Sequence, residues 1–150
     1  MKIAIGADHG GYRLKETIKK MLIDLGHEVD DFGCHGAESV DYPDYAGPVA
    51  RKVAQGEYER GILICGTGIG MSIAANKVQG IRCALAHDPY SAKMTRLHND
   101  SNVLALGERV IGPGVAEEIV KIWLDTPFEG GRHTRRLEKI CALEPDPQGS

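Results

Sequence analysis

The chain lacks the features that direct proteins to nucleic acid, to membranes or to oxidising compartments. Its 150 residues carry a net charge of -3, so no overall positive charge attracts polyanions. It contains no apolar run near the roughly 20 residues that cross a bilayer. The first residues enter a strand pattern directly instead of forming a signal peptide. We therefore expect a cytoplasmic protein with a small-molecule partner, bound to neither nucleic acid nor membrane.

Metal-binding patterns are also missing. The four cysteines, at positions 34, 65, 83 and 141, form no CxxC pair. The six histidines are dispersed without the short paired spacings of zinc ligands, and the acidic residues form no Asp-x-Asp cluster. We predict no metal and no cofactor, so the chemistry must rest on side chains.

Short strand patterns alternate with helical patterns along the chain. The strand patterns cover 2–7, 28–32, 61–65, 82–86 and 102–106. The helical patterns cover 12–25, 42–55, 69–77, 89–98, 114–124 and 132–142. This alternation predicts an α/β protein with a five-stranded parallel sheet, of strand order 2-1-3-4-5, and helices on both faces. We expect one domain over residues 1–143 and a flexible tail over 144–150, which holds two prolines.

The first helical pattern separates apolar from charged positions. Leu14, Ile18 and Leu22 recur on one stripe, while Lys15 and Lys19 fall away from it. We expect this helix to cover the sheet with both lysines turned away from the core.

The most informative segment is the end of the third strand pattern. An apolar run ends in Cys65 and continues into alternating glycines at 66, 68 and 70. Such a turn lets backbone N–H groups converge and joins a helix start, which favours a bound anion and the thiolate form of Cys65. The alternatives are a plain tight connection and a dinucleotide-binding loop with Asp88 as the ribose-binding acid. The dinucleotide pattern fails at Met71, where it needs its third glycine.

Three further residues are candidates for the same site. Asp8 and His9 follow the first strand, which lies beside the third in the predicted order, so both should lie near Cys65. His98 comes just after a helix end, in a loop expected to project over the sheet edge. A histidine at this place is suited to acid and base catalysis.

Arg132 and Arg136 form a candidate phosphate clamp. They are four residues apart and therefore project from one helix face. Arginines in a first helical turn oppose the helix dipole at a cost of about 0.3–1 kcal/mol each, which a bound dianion reverses. Arg109, after the last strand, could join them, and the alternative is a solvated basic turn.

These residues alone leave two reactions open. In the first, Cys65 attacks a carbonyl with His98 as base, and the protein is a small hydrolase. In the second, Cys65 removes a carbon-bound proton beside a carbonyl, and the glycine turn holds the enediolate.

The chain resembles type B ribose-5-phosphate isomerase over nearly its whole length. The motifs that carry the resemblance are GADHGG at 6–11, DYPDYA at 41–46, GILICGTGIG at 61–70, AANK at 74–77, HND at 98–100 and EGGRH at 129–133. The resemblance implies a flavodoxin-like, Rossmann-type three-layer sandwich with an extra C-terminal helix. It also implies a homodimer, or a tetramer, with the site at the subunit boundary.

The resemblance implies a metal-independent aldose-ketose isomerase of the non-oxidative pentose phosphate pathway. Cys65 would move the proton between C2 and C1 of ribose 5-phosphate, since Met71 stands where some relatives carry a glutamate base. Thr67 would assist at the hydroxyl groups, and His98 would open the furanose ring. Relatives also isomerise allose or galactose 6-phosphate, so a six-carbon substrate is the alternative.

The resemblance further implies three groups of binding residues. The sugar oxygens would be bound by Asp8, Tyr42 and Asn99. The phosphate would be bound by His9, Arg109, Arg132 and Arg136. The enediolate would be held by backbone N–H groups of the turn, at Gly66, Gly68, Ile69 and Gly70.

Overall fold

Strands and helices alternate along residues 1–145, the part of the chain that the computed structural model describes. The strands are β1 (Lys2–Ala7), β2 (Glu28–Asp31), β3 (Arg60–Cys65), β4 (Cys83–Leu85) and β5 (Val103–Gly107). The helices are α1 (Tyr12–Asp24), α2 (Pro43–Ala54), α3 (Ile69–Ala75), α4 (Pro89–Asn99), α5 (Pro113–Asp125) and α6 (Arg132–Cys141). The predicted α/β class and the extra C-terminal helix are confirmed.

The five strands form one parallel sheet in the order β2-β1-β3-β5-β4. The predicted order 2-1-3-4-5 is therefore wrong at its last two strands. Every residue of β5 is buried, as a strand between two neighbours requires, whereas β4 has three residues and ends in the exposed Leu85. The longer and more apolar strand takes the inner place because it buries more surface there.

The helices cover both faces of the sheet, which gives the predicted three layers. Side chains alternate along each strand, so Ile62 and Ile64 face α1, α4 and α5, while Leu63 and Cys65 face α2 and α3. The extra helix α6 packs against α4 and remains largely exposed. Among residues 1–145, no helix combines the length and the hydropathy that a membrane crossing requires.

The predicted tail is only partly within the described residues. The carboxylate of Glu144 accepts a hydrogen bond of 3.0 Å from the backbone N–H of Gly80, which ties the end of α6 to the loop before β4. Residues 146–150 lie outside the described residues.

A buried ion pair joins α1 to the end of β2. Lys15 was expected to turn away from the core, yet its side chain is fully buried and donates to the carboxylate of Asp31. Lys19 donates to the same carboxylate at 2.9 Å, and Asp31 accepts the backbone N–H of Gly33 at 2.8 Å. Burial alone would raise the pKa of Asp31, but these hydrogen bonds outweigh it and lower the pKa. The pair fixes the loop after β2 beside the end of β1.

Replacing Asp31 with asparagine leaves the buried Lys15 ammonium without its main counterion. We expect Asp31→Asn to lower the free energy of unfolding by about 3 kcal/mol in urea titrations at pH 7. The matched control, Lys52→Gln, breaks the exposed ion pair with Glu57 and should cost less than about 1 kcal/mol. Similar losses in the two variants would contradict this account.

The same comparison has a pH dependence. Because folding lowers the pKa of Asp31, this carboxylate contributes fully to the free energy of unfolding at pH values above its ordinary pKa of 3.8. The contribution is lost as the pH falls through the lower pKa of the folded state. The difference in stability between wild type and Asp31→Asn should therefore narrow in acid.

Candidate active site

The glycine turn begins where β3 ends, at the edge of the sheet to which all five strands point. Gly68 has φ = 78°, in the left-handed region, and a Cβ there would lie 2.8 Å from the carbonyl carbon of Leu106. A Cβ at Gly107 would lie 2.6 Å from the backbone of Thr67. The end of β5 thus presses directly on the turn, and both contacts require glycine.

Cys65 lies at the base of this turn with 5% of its surface exposed. The backbone N–H of Gly68 donates to the sulfur at 3.1 Å. The N–H of Ile69 donates to the hydroxyl of Thr67 at 3.2 Å. The turn therefore directs one N–H to the sulfur and one to the threonine hydroxyl.

Asp8 lies beside the turn because β1 pairs with β3. Its N–H donates to the carbonyl of Ile64 at 3.2 Å, and its carboxylate accepts the N–H of Gly10 at 2.9 Å. A Cβ at Gly10 would lie 3.1 Å from the backbone nitrogen of Gly66, so the two loops are in close contact. The side chain of Asp8 is thereby held at the same edge as Cys65.

His9, next to Asp8, has a defined ring orientation. Its Nδ1 accepts a hydrogen bond of 3.1 Å from the backbone N–H of Val40. A ring nitrogen that accepts carries no proton, so the neutral ring keeps its proton on Nε2. His9 therefore offers an Nε2–H donor for an anion.

Two further side chains border the turn. The ring of Tyr42 packs over α3, where a Cβ at Gly70 would lie 2.7 Å from its Cζ. Arg109 follows β5, and its N–H donates to the carbonyl of Gly66 at 3.0 Å. Its guanidinium bends back over the turn, since a Cβ at Gly66 would lie 3.3 Å from Nη1. The carboxyl edge thus holds a phenol, a cation and a thiol together.

Two supporting residues at this edge, Glu108 and His87, were missed by the sequence analysis, and a third, Asp88, was considered there only as a ribose-binding acid. Glu108 accepts the N–H of Leu14 at 2.6 Å and so joins the start of α1 to the end of β5. The Nε2 of His87 accepts the N–H of Gly107 at 2.9 Å, and burial is the main cause that lowers the pKa of this histidine. Asp88 caps α4 by accepting the N–H of Ser91 at 2.7 Å, which accounts for this acid without a dinucleotide.

The remaining candidates lie at the opposite edge of the sheet. α4 starts where β4 ends and runs back, so His98 and Asn99 lie where the strands begin. There the carbonyl of Asn99 accepts a 2.9 Å hydrogen bond from Nε of Arg82. The expected loop position of His98 is therefore wrong, because His98 lies in the last turn of α4, and within one chain it is not at the edge that holds Cys65. A helix after a parallel strand returns the chain to the edge where strands start.

Arg132 and Arg136 belong to the same distant group. The loop before α6 is joined to α4 by the N–H of Glu129, which donates to the carbonyl of Leu97 at 3.1 Å. The ring of His133 in α6 stacks on that of His98, with centroids 4.4 Å apart. Both arginines are exposed beside these rings. In one chain they do not join Arg109, because Arg109 lies at the carboxyl edge and the two edges are separated by the length of the six-residue β3, roughly 16 Å.

The predicted site thus consists of two groups at opposite edges of one sheet. The carboxyl-edge group contains Asp8, His9, Tyr42, the turn from Cys65 to Gly70, and Arg109. The amino-edge group contains His98, Asn99, Arg132 and Arg136. The structure brings the members of each group together and keeps the two groups apart.

Comparisons with known proteins agree with this fold. A family model described as Ribose/Galactose Isomerase matches residues 3–140. Ribose-5-phosphate isomerase B of Escherichia coli is 54% identical over 143 residues, which cover 95% of this chain and 96% of that protein. D-erythrulose-4-phosphate isomerase of Pectobacterium atrosepticum is 50% identical over 145 residues, which cover 96% of this chain and 95% of that protein.

A solved structure gives the same result in three dimensions. Ribose-5-phosphate isomerase B of Clostridium thermocellum superimposes with a TM-score of 0.94 at 58% identity, and the match covers 95% of this chain and 97% of that one. The chain therefore belongs to the ribose/galactose isomerase family and is an isomerase of the type B ribose-5-phosphate isomerase kind, as its motifs predicted.

Proposed function

We propose that this isomerase interconverts ribose 5-phosphate and ribulose 5-phosphate, with Cys65 as the base. The observation that carries the proposal is the hydrogen bond from the N–H of Gly68 to the Cys65 sulfur, at the edge where Asp8 and Arg109 also lie. The names of the Escherichia coli and Clostridium thermocellum relatives support a pentose phosphate as substrate. Because a thiol base must stay reduced, we assign the activity to the cytoplasm.

The proposed reaction moves one proton between two carbons. His98 first assists opening of the furanose to the free aldehyde. The Cys65 thiolate then takes the proton from C2, the C2 electron pair forms the C1–C2 double bond, and O1 becomes an oxyanion. The proton returns from sulfur to C1 while the O2 proton passes to O1, which leaves the ketose. No metal takes part in these steps.

The turn divides the work of stabilising charge. Of the four N–H groups expected at the enediolate, that of Gly68 donates to the Cys65 sulfur and that of Ile69 donates to Thr67, so neither is free for the enediolate in this structure. The N–H groups of Gly66 and Gly70 serve the enediolate oxygens instead. The Thr67 hydroxyl accepts from Ile69, and its own proton remains available for the sugar hydroxyl groups. Asp8 and Tyr42 bind the other sugar oxygens from this edge.

The site is completed by a second copy of the chain. His98 and Asn99 from the partner meet Cys65 of the first copy, and Arg132 and Arg136 from the partner join His9 and Arg109 around the phosphate. An exposed apolar strip supports this assembly. It lies beside the glycine turn and consists of Ile69, Ile73 and Leu85, which are 50%, 59% and 39% exposed. Burying such a strip against a second copy favours a homodimer.

The substrate and the proton transfer can be tested together by NMR. Ribose 5-phosphate incubated with the enzyme and a chelator in heavy water should give ribulose 5-phosphate with deuterium at C1, because solvent exchanges with the proton on sulfur. Product without deuterium would instead indicate a hydride shift. Failure in chelator would contradict metal independence.

Chain length is tested with the same assay. The name of the Pectobacterium relative makes a four-carbon substrate an alternative, and the family description adds six-carbon sugars. We expect kcat/KM to be highest for ribose 5-phosphate among ribose 5-phosphate, D-erythrulose 4-phosphate and allose 6-phosphate. A higher kcat/KM for either of the other two sugar phosphates would identify that sugar as the preferred substrate.

Removing the sulfur should stop proton transfer without unfolding the chain. We expect Cys65→Ala to lower kcat by about 10³-fold, within the range of general-base catalysis. Cys141→Ala is the matched control, because that thiol is exposed on α6, and it should keep full activity. The circular dichroism spectra of both variants should equal that of the wild type. Activity of Cys65→Ala within tenfold of wild type would exclude this base.

Mixing two inactive variants tests whether each site uses two copies. When Cys65→Ala and His98→Asn chains are refolded together, a hybrid dimer carries both changes in one site and none in the other. Random pairing then restores about a quarter of wild-type activity in a symmetric dimer. If each chain formed its own site, hybrids confirmed by native mass spectrometry would stay inactive.

A further inference from the structure

Three potential metal ligands meet at the amino edge of the sheet. They come from α4, from the loop before α6 and from α6 itself, and they are His98, Glu129 and His133. One donor atom from each lies within 4.8 Å of the other two. The sequence predicted no such site because the two histidines lie far apart along the chain, and only the packing of α6 on α4 brings them together.

His133 has an unused donor atom that points into this cluster. Its side chain is buried, and its Nε2 has no hydrogen-bond partner among the described residues. The Glu129 carboxylate lies close by, with its Oε2 3.7 Å from that nitrogen. A buried polar atom without a partner is costly, and a bound ion is one of the few groups that relieve the cost.

The backbone prepares this arrangement in advance. The N–H of Glu129 donates to the carbonyl of Leu97 at 3.1 Å, which fixes the loop against the last turn of α4. The rings of His98 and His133 are stacked with planes inclined by 19°. The two imidazole rings and the backbone at Glu129 are thus held in place by packing and by main-chain hydrogen bonding.

We propose that His98, Glu129 and His133 form a binding site for a divalent transition metal ion of the zinc class. Two imidazoles and one carboxylate suit zinc, cobalt or nickel better than magnesium or calcium, which prefer oxygen ligands. The remaining coordination positions are taken by water.

Small side-chain movements complete the coordination. A tetrahedral zinc ion with bonds of about 2.1 Å holds its donor atoms about 3.4 Å apart. The donor atoms now lie within 4.8 Å of one another. Movement of the exposed Glu129 carboxylate and rotation of the half-buried His98 ring shorten these separations to the distance that zinc requires, while the buried His133 stays in position. Arg132 and Arg136 add positive charge nearby, which repels a metal cation. Glu129 is the one ligand with a negative charge to offset this repulsion, so binding is weaker than at a structural zinc site.

The consequence for activity rests on the proposed function. A metal ion bound to His98 blocks the imidazole that assists ring opening, so zinc inhibits turnover of cyclic ribose 5-phosphate and a chelator restores it. The binding itself does not depend on the proposed reaction. A chain that binds metal but does not isomerise ribose 5-phosphate would refute only the proposed function.

Cobalt provides a direct readout of the site. We expect Co²⁺ added to the intact protein to give the visible bands of a nitrogen and oxygen site, and Zn²⁺ to displace it in calorimetric titrations. Glu129→Gln and His133→Asn should each weaken Zn²⁺ binding by about 10-fold to 100-fold. Glu129→Gln removes an exposed side chain and so avoids the risk of misfolding that accompanies His133→Asn. His35→Gln, a change at an exposed histidine outside the cluster, is the matched control and should leave the affinity unchanged.

The activity assay supplies the second readout. Glu129→Gln should keep the basal isomerase activity and should need at least 10-fold more Zn²⁺ for half inhibition. The proposal is overturned if Glu129→Gln and His133→Asn bind Zn²⁺ as tightly as the wild type. It is also overturned if a thiolate-to-cobalt charge-transfer band assigns the ion to a cysteine, or if His35→Gln weakens binding equally.

Discussion

The parallel pairing of β1, β3 and β5 is the constraint on which the arrangement of the whole molecule depends. Parallel strands all end at one edge, so the loops after β1, β3 and β5 must meet there. Each helix then returns the chain to the other edge. The same geometry that brings Asp8 and Arg109 to Cys65 therefore carries His98 and Arg132 away from it. A site that uses both groups needs a second copy of the chain, and a symmetric dimer then contains two such sites.

Close backbone contacts are what make the carboxyl edge suited to chemistry. Gly68 and Gly107 let the end of β5 press on the turn, so the turn cannot relax away from Cys65. The N–H of Gly68 is consequently fixed on the sulfur before any substrate arrives. Such preorganised donors are worth more than mobile ones, because no reorganisation is needed during the reaction. In the proposed mechanism this turn favours the thiolate first and the enediolate second.

The amino edge concentrates positive charge around two imidazoles. Arg132 and Arg136 lie near the stacked rings of His98 and His133. In the proposed dimer the arginines find their counterion in the substrate phosphate. In the proposed metal site the negative charge of Glu129 offsets the positive charge of the arginines and the metal ion instead. The two ligands thus use one charged surface in different ways, and His98 is the residue they share.

A large part of the fold could be predicted from the sequence because its signals are local. Apolar residues alternate between strand and helix spacing along the chain, and this alternation predicted the α/β class. The boundaries of strands and helices differ from the predicted ones by a few residues at most. The glycine turn after Cys65 was also visible, since a left-handed residue and two close approaches demand glycine at defined positions. The family motifs added the identity of the reaction class.

Features that depend on packing between distant segments were beyond the sequence. The order of β4 and β5 followed from which strand buries more surface. Lys15 of α1 turned inward because the carboxylate of Asp31, at the end of β2, pairs with its ammonium group. The separation of His98 from Cys65 and its meeting with His133 followed from the direction in which α4 runs and from the docking of α6. Sequence determined what each segment is, because periodicity and backbone preferences act within a few residues. Tertiary structure decided which segments meet, because burial and charge pairing are properties of the whole folded chain.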